Sequence, residues 1–183
     1  MKHLLFYEGN FCVKFQAPNA SELTKYVLEK PEQFDDKSWA ENCILNTIPC
    51  TWQEMMPLLA PSFEQFSKIV GKGFNYTLYD PWINCYTEGS YQDIHDHYTA
   101  DFACVFFPNM GENFGKFFFF DRNSHCVNPK WRKLLNIHDM WYPDISPGDI
   151  MFFPGNILHG VTVHQSTETR KTLSCNCRLD MPL

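Results

Sequence analysis

Three histidines and one arginine carry most of the chemistry this sequence can offer. His95 and His97 flank Asp96 in the run Y-Q-D-I-H-D-H-Y. In an extended strand, residues i and i+2 point to the same side. Both imidazoles can therefore meet one metal ion from a single strand, with Asp96 turned the other way unless a bulge brings it in. His159, in P-G-N-I-L-H-G-V, opens a separate strand after a Pro154-Gly155-Asn156 turn and is the candidate third ligand. Two or three protein ligands with positions left open describe a catalytic mononuclear site rather than a closed structural one. The other histidines (His3, His125, His138 and His164) read as polar surface or as groups behind the ligands. Eleven residues past His159 stands Arg170. If 157–163 and 170–179 pair as a hairpin, Arg170, Thr172 and Ser174 share a face, and Arg170 aims into the cavity of His159. A buried guanidinium there wants a carboxylate, gripped by two parallel hydrogen bonds. Each charged bond is worth about 1.5–3 kcal/mol, and an empty buried charge is costly. The cavity should accept an acid that reaches from the metal to Arg170.

The elements that must hold these residues are mostly strands. From Phe74 onward, short runs rich in Phe, Tyr, Val and Ile alternate with Pro/Gly/Asn turns. Strands are expected at 74–79, 82–86, 93–98, 102–107, 116–120, 141–145, 149–153, 157–163 and 170–179. That spacing suggests an antiparallel barrel or sandwich. A helical turn is expected at 131–135. Upstream, 3–6 and 11–16 read as strands around Gly9-Asn10. A helix follows from Asn19 or Ser21 to Glu29. Residues 31–50 are polar, with 37–45 irregular or a short strand. Thr51 and Glu54 have capping-box spacing. They open a helix to Val70 with Met55, Leu58, Leu59, Phe63, Phe66 and Ile69 as its apolar face, although Pro57 and Pro61 weigh against its first half. The expected organisation is one domain, mainly β with flanking α: a flank over 1–73 and a catalytic barrel over 74–180.

Composition narrows the function. The chain has 183 residues, 44% of them hydrophobic, which suffices for a large core. Seventeen phenylalanines suit a sheet-rich interior. A net charge of -6 argues against a nucleic-acid partner. No apolar run approaches a membrane span and the N-terminus lacks a signal-peptide pattern. The eight cysteines form no C-x-x-C pair and read as reduced, mostly buried residues of a cytoplasmic protein.

The ordered set W-I-N-C-Y-T-E-G-S-Y-Q-D-I-H-D-H, F-A-C-V-F-F-P-N, G-K-F-F-F-F-D, I-S-P-G-D-I-M-F-F-P-G-N-I-L-H-G-V and R-K-T-L-S spans roughly 82–178. It resembles the 2-oxoglutarate- and Fe(II)-dependent dioxygenases. The likeness is greatest to the prolyl-hydroxylase-like group and the small oxygenases of bacteria and tailed phages. The resemblance implies a double-stranded β-helix, a jelly-roll or cupin-like barrel with N-terminal helices. It implies Fe(II) held by His95 and His159, with His97 where the family usually has the carboxylate of H-x-D. It implies 2-oxoglutarate with its distal carboxylate on Arg170, Thr172 beside it, and Tyr86 as a further bond. Ascorbate fits the same chemistry as an accessory reductant. The implied reaction consumes O2, releases succinate and CO2, and hydroxylates a C–H bond of a peptide side chain such as proline, or of a small molecule. Phe107 stands where a tyrosine often contacts the cosubstrate. A non-catalytic barrel that binds a metal or small acid, and a different metal enzyme on a cupin-like barrel, are the competing readings.

Overall fold

The computed structural model describes residues 11–34, 43–71, 73–122 and 126–180. The expected 3–6 strand and its turn, His3 and His125 lie outside them. Among the described residues, ten strands form two antiparallel sheets. The major sheet has the order β1-β8-β5-β10-β3-β2 and the minor sheet β4-β9-β6-β7. In chain order these are β1 (Val13–Gln16), β2 (Asn46–Pro49), β3 (Tyr76–Tyr86), β4 (Gln92–His95), β5 (Phe102–Phe107), β6 (Phe117–Phe120), β7 (Met140–Trp141), β8 (Asp149–Pro154), β9 (His159–Val161) and β10 (Arg170–Leu179). The two sheets facing each other give the double-stranded β-helix.

The central strands β5 and β8 of the major sheet are apolar on both faces because each face is covered, whereas β3 and β10 are apolar only on the outward one. Outward, Ile83, Cys104, Phe106, Ile150, Phe152, Leu173 and Cys175 pack against α1 (Ala20–Glu29) and α2 (Trp52–Val70), with Leu23, Val27, Met55, Leu59 and Phe63 from the helices. Phe66 stacks on Phe152 with ring centroids 4.5 Å apart. Inward, Ala103, Val105, Phe107, Met151 and Phe153 meet Phe117, Phe119 and Val161 of the minor sheet.

Thr51 caps α2 as its spacing foretold. Its Oγ1 accepts from the Glu54 N–H at 3.3 Å, and the Glu54 carboxylate accepts from the Thr51 N–H at 3.1 Å. The helix runs unbroken through Pro57 and Pro61. The bond Pro57 cannot make belongs to Gln53, and both residues are exposed, so water can serve that carbonyl. Ile69, expected on the buried face, is 47% exposed in the last turn. Gly71 ends the helix in the left-handed conformation.

Three expectations need correction. The two strands at 74–79 and 82–86 are one, β3, kept continuous by a bulge: the register shifts between Ser174 and Asn176, opposite Asp80, which has φ 45. Trp82 and Tyr79 can both face inward because of this extra residue. A strand that polarity concealed, β2, lies at Asn46–Pro49 on the edge beside β3. Finally, 157–163 and 170–179 do not form a hairpin. β9 pairs with β4 and β6, whereas β10 pairs with β3 and β5. Arg170 and His159 thus come from opposite sheets. The helical turn at 131–135 is α3 (Pro129–Leu135), capped by the Asn128 side chain.

Candidate active site

Two sheets supply two halves of one cavity. On the minor sheet, His95 of β4 lies directly across from His159 of β9. β4 carries a bulge between Gln92 and His95, so these two share the inward face despite their odd spacing. Period two therefore fails within this strand, and β4 ends at His95. His97 sits in the segment beyond. Its N–H donates to the Gly155 carbonyl at 2.7 Å, and its own carbonyl accepts from the Ala100 N–H at 2.7 Å. A side-chain carbon on Gly155 would fall 2.2 Å from the Ala100 oxygen, so only glycine lets the two segments approach this closely.

The three imidazoles converge. Their candidate ligand atoms lie within 4.8 Å of one another, and Asp96 is not part of the group. His95 Nδ1 is 2.7 Å from the Asp93 carbonyl, and His159 Nδ1 is 2.9 Å from the Ile157 carbonyl. A carbonyl only accepts, so both Nδ1 atoms carry the proton and both Nε2 atoms present a lone pair. His97 Nε2 faces His159 Nε2 at 3.2 Å. Nitrogen ligands about 2.1 Å from a shared ion stand roughly 3–3.4 Å apart. Burial lowers the pKa of His95; burial and then His95 lower that of His97 to about 4. His159 is held well below the ordinary value by burial, then by His95 and His97. Neutral imidazoles are the form that binds metal.

On the major sheet, β3 and β10 face the cavity with opposed pairs: Arg170 with Tyr86, Thr172 with Asn84, and Ser174 with Trp82. Arg170 is fully buried, and its Nε and Nη1 have no hydrogen-bond partner. Its guanidinium lies over the Tyr86 ring at 4.6 Å and 6.0 Å from the centre of the Phe107 ring. Burial lowers its pKa, against the pull of the Tyr86 hydroxyl. Phe107, where a hydroxyl had been wanted, is an apolar wall beside the guanidinium. The Tyr86 hydroxyl donates to Gln92 Oε1 at 2.5 Å, linking the sheets.

Asn84 organises the middle of this wall. Trp82 Nε1–H donates to Asn84 Oδ1 at 2.9 Å, which fixes the amide's orientation. Asn84 Nδ2 then donates to Thr172 Oγ1 at 3.1 Å and Ser174 Oγ at 3.2 Å. Both hydroxyls accept from Asn84, so each keeps its own proton to donate elsewhere. Trp82 also stacks on His97, with centroids 5.9 Å apart. The cavity is bounded by the three histidines, Arg170, Tyr86, Gln92 and the Asn84 group.

The structure thus brings together all six residues singled out from sequence: Tyr86, His95, His97, His159, Arg170 and Thr172. It adds Trp82, Asn84, Gln92 and Gly155. Trp82 and Asn84 share period two with Tyr86, a signal that was available; Gln92 was hidden by the bulge. His164, expected at the surface or behind the ligands, is a buried brace: its Nδ1 accepts from Gly115 N–H at 3.2 Å and its Nε2–H donates to the Glu168 carbonyl at 2.8 Å.

Residues 80–176 match a family model described as "Putative 2OG-Fe(II) oxygenase". The chain belongs to the 2-oxoglutarate- and Fe(II)-dependent oxygenases and is an enzyme of that class. No curated protein gives a match. Several solved structures share the fold at low identity. An oxidoreductase of the 2OG-Fe(II) oxygenase family from Burkholderia pseudomallei is 13% identical, with a TM-score of 0.65 over 91% of this chain and 84% of that one. HygX from Streptomyces hygroscopicus, solved with nickel, 2-oxoglutarate and hygromycin B, is 8% identical, with a TM-score of 0.66 over 93% and 83%. A Trichoplax adhaerens prolyl hydroxylase, solved with a hypoxia-inducible-factor peptide fragment, is 13% identical, with a TM-score of 0.64 over 91% and 83%. No helix among the described residues is long and apolar enough to cross a membrane.

Proposed function

We propose that this oxygenase hydroxylates a peptide side chain, proline-like in shape, with His95, His97 and His159 holding Fe(II) and Arg170 and Thr172 holding the distal carboxylate of 2-oxoglutarate. The observation that carries the reading is the fully buried guanidinium of Arg170, whose Nε and Nη1 have no hydrogen-bond partner, in the same cavity as three convergent imidazoles. Both implied groups fit the residues present. Imidazole donors suit iron, and a buried Arg with two nitrogens lacking an acceptor suits a carboxylate. Iron and 2-oxoglutarate, when bound, supply the oxidising power and use O2 to hydroxylate a C–H bond, with succinate and CO2 as products.

The chain's own residues bind, orient and exclude water. Arg170 offers two N–H groups to one end of the acid, and the Thr172 proton, freed by Asn84, points to the same ligand. Tyr86 holds the guanidinium flat from beneath, and its own proton stays on Gln92. Phe107, Phe117 and Val105 close the apolar side, which strengthens every charged contact inside.

A peptide substrate is favoured by the open side of the minor sheet. His95, His159, Phe119 and Trp141 form one row of cross-strand neighbours, so all four face inward. Trp141 is 56% exposed and stacks on Phe119 at 5.6 Å. It lines a groove with Phe11, Ile157, His138 and Asp139, beside β1 and β7, the edge strands among the described residues. An extended segment lying there would reach the histidines along an aromatic floor. The small-molecule reading draws on the hydroxyl- and amide-lined wall at Asn84 and Ser174, and on HygX with its bound hygromycin B. A cytoplasmic setting fits the thiols of Cys104 and Cys175, which face each other at 2.9 Å across paired strands as free groups.

The test is an anaerobic titration with Fe(II) and then 2-oxoglutarate, following the visible absorption of iron chelated by a keto acid. Wild type should develop the band, and Arg170→Ala should need about ten- to a hundredfold more 2-oxoglutarate. Metal uptake without a band would sink the oxygenase assignment of this site. Incubation with a peptide library, read by mass spectrometry for gain of one oxygen, separates the peptide from the small-molecule reading.

A further inference from the structure

A metal-bound imidazole holds its orientation by giving its other N–H to an acceptor. His95 gives its Nδ1–H to the Asp93 carbonyl and His159 gives its own to the Ile157 carbonyl, each two residues upstream. His97 lies past the end of β4 and has no such carbonyl among the described bonds, while its Nε2 faces the cluster. Behind it stands β10. Cys175 and Cys177 point outward into the helical layer, so Asn176 between them points inward. Asn176 is one step along β10 from Ser174, whose cross-strand partner Trp82 stacks on His97. The Asn176 side chain thus faces the same wall as Trp82, on which His97 packs. Yet its Oδ1 is buried and completes no hydrogen bond within the geometric limits of one. An orphaned acceptor thus lies beside the one imidazole of the three without a carbonyl to orient it.

We propose that Asn176 is a positioning residue for the metal: its Oδ1 accepts the Nδ1–H of His97 and completes a set of three oxygen acceptors behind the three imidazoles. The inference rests on the reading of these histidines as ligands. It explains why H-x-H works here although the second histidine has left the strand. A ring beyond a strand end needs a brace from another element, and the opposite sheet provides it. The brace also fixes the tautomer, because an amide oxygen accepts only from a protonated Nδ1, leaving Nε2 for the ion.

The test compares wild type, Asn176→Leu (similar size, no acceptor) and Asn176→Asp (acceptor kept). Each apo-protein is first melted to compare folding and is then titrated with Co(II) alone. Asn176→Leu should bind Co(II) about 10- to 100-fold more weakly, and Asn176→Asp should bind as tightly as wild type or more so. In Zn(II)-loaded wild type, proton NMR should show slowly exchanging Nδ1–H signals for His95, His97 and His159. The His97 signal should vanish in the Leu variant and persist in the Asp variant. That signal is read in wild type as well, so a poorly folded variant does not remove the test. Equal Co(II) affinity in wild type and Asn176→Leu, or no protected His97 Nδ1–H in wild type, overturns the inference alone. Failure of wild type to take up Co(II) overturns the metal reading of the three histidines as well.

Discussion

Gly155→Ala should damage metal binding from a residue that touches no metal. The added carbon would stand 2.2 Å from the Ala100 oxygen, 2.9 Å from the Ala100 carbonyl carbon and 2.9 Å from the His97 oxygen. Ordinary contact for such atoms is above 3 Å, so the 97–101 segment must move by roughly 1 Å. It cannot move freely. The Gly155 N–H donates to the Asp101 carbonyl at 3.1 Å, and the Asp101 N–H donates to the Cys177 carbonyl at 3.0 Å. The strain therefore falls on the His97 N–H bond to Gly155, which places the ligand. Overpacking of this kind costs about 1–3 kcal/mol, or roughly 2–12 °C in melting temperature for a chain of this size. Displacement of His97 should weaken Co(II) binding about tenfold or more, as loss of an orienting partner does. Gly73→Ala is the control, because nothing lies within 4 Å of its added carbon. The assay is a thermal melt of the apo-protein and a Co(II) titration on each variant. Wild-type values for Gly155→Ala in both would refute the claim that this close approach sets His97.

Tyr86→Phe leaves Gln92 Oε1 as a buried acceptor without its donor, at a cost of about 1–3 kcal/mol in chemical denaturation. The ring under Arg170 survives, so the loss of 2-oxoglutarate affinity should be smaller than in Arg170→Ala; equal losses would show that the hydroxyl itself holds the acid. Glu54→Gln tests the helix cap. The bond from the Thr51 N–H, then Lys30, holds the Glu54 carboxyl down at about 2. A depressed carboxyl stabilises the fold above its unfolded value near 4.5 and loses that contribution as pH falls toward 2. Glu54 is largely exposed, so the cap is worth only about 0.5–1 kcal/mol. The gap in melting temperature between wild type and Glu54→Gln should be present at neutral pH and close as pH approaches 2. A gap that persists unchanged would refute the cap's charge as its source.

Much of this site could be read from residue types and spacing, because ligands are rare and their neighbours are not. His95, His97, His159 and Arg170 were found for that reason. Their geometry was less accessible. Period two placed His95 and His97 together for a cause that does not operate, since β4 is bulged and ends before His97. The hairpin argument joined Arg170 to His159 through adjacency in sequence, whereas the true path runs through two sheets. Residues 80–81 fell between two expected strands because Pro is unfavourable inside one, and the pairing of β3 with β10 on either side overrode that local preference. β2 was missed because an edge strand needs few apolar residues. Gln92 and Asn176 carry no sequence signal of their own; only the bulge and the inward phase of β10 give them meaning.

The split of the cavity between two sheets bears on what holds the sandwich together. The imidazoles of His95 and His159 sit on the minor sheet, and the guanidinium of Arg170 sits on the major one. A diacid gripped at both ends would stitch the sheets together, and whatever prefers the closed sandwich protects it by mass action. Occupancy would then slow hydrogen exchange in β9 and β10 at the same moment, though they share no ladder. With the acid bound in this way, the melting temperature should rise with its concentration, so that the same ligand that serves turnover would also hold the sandwich closed.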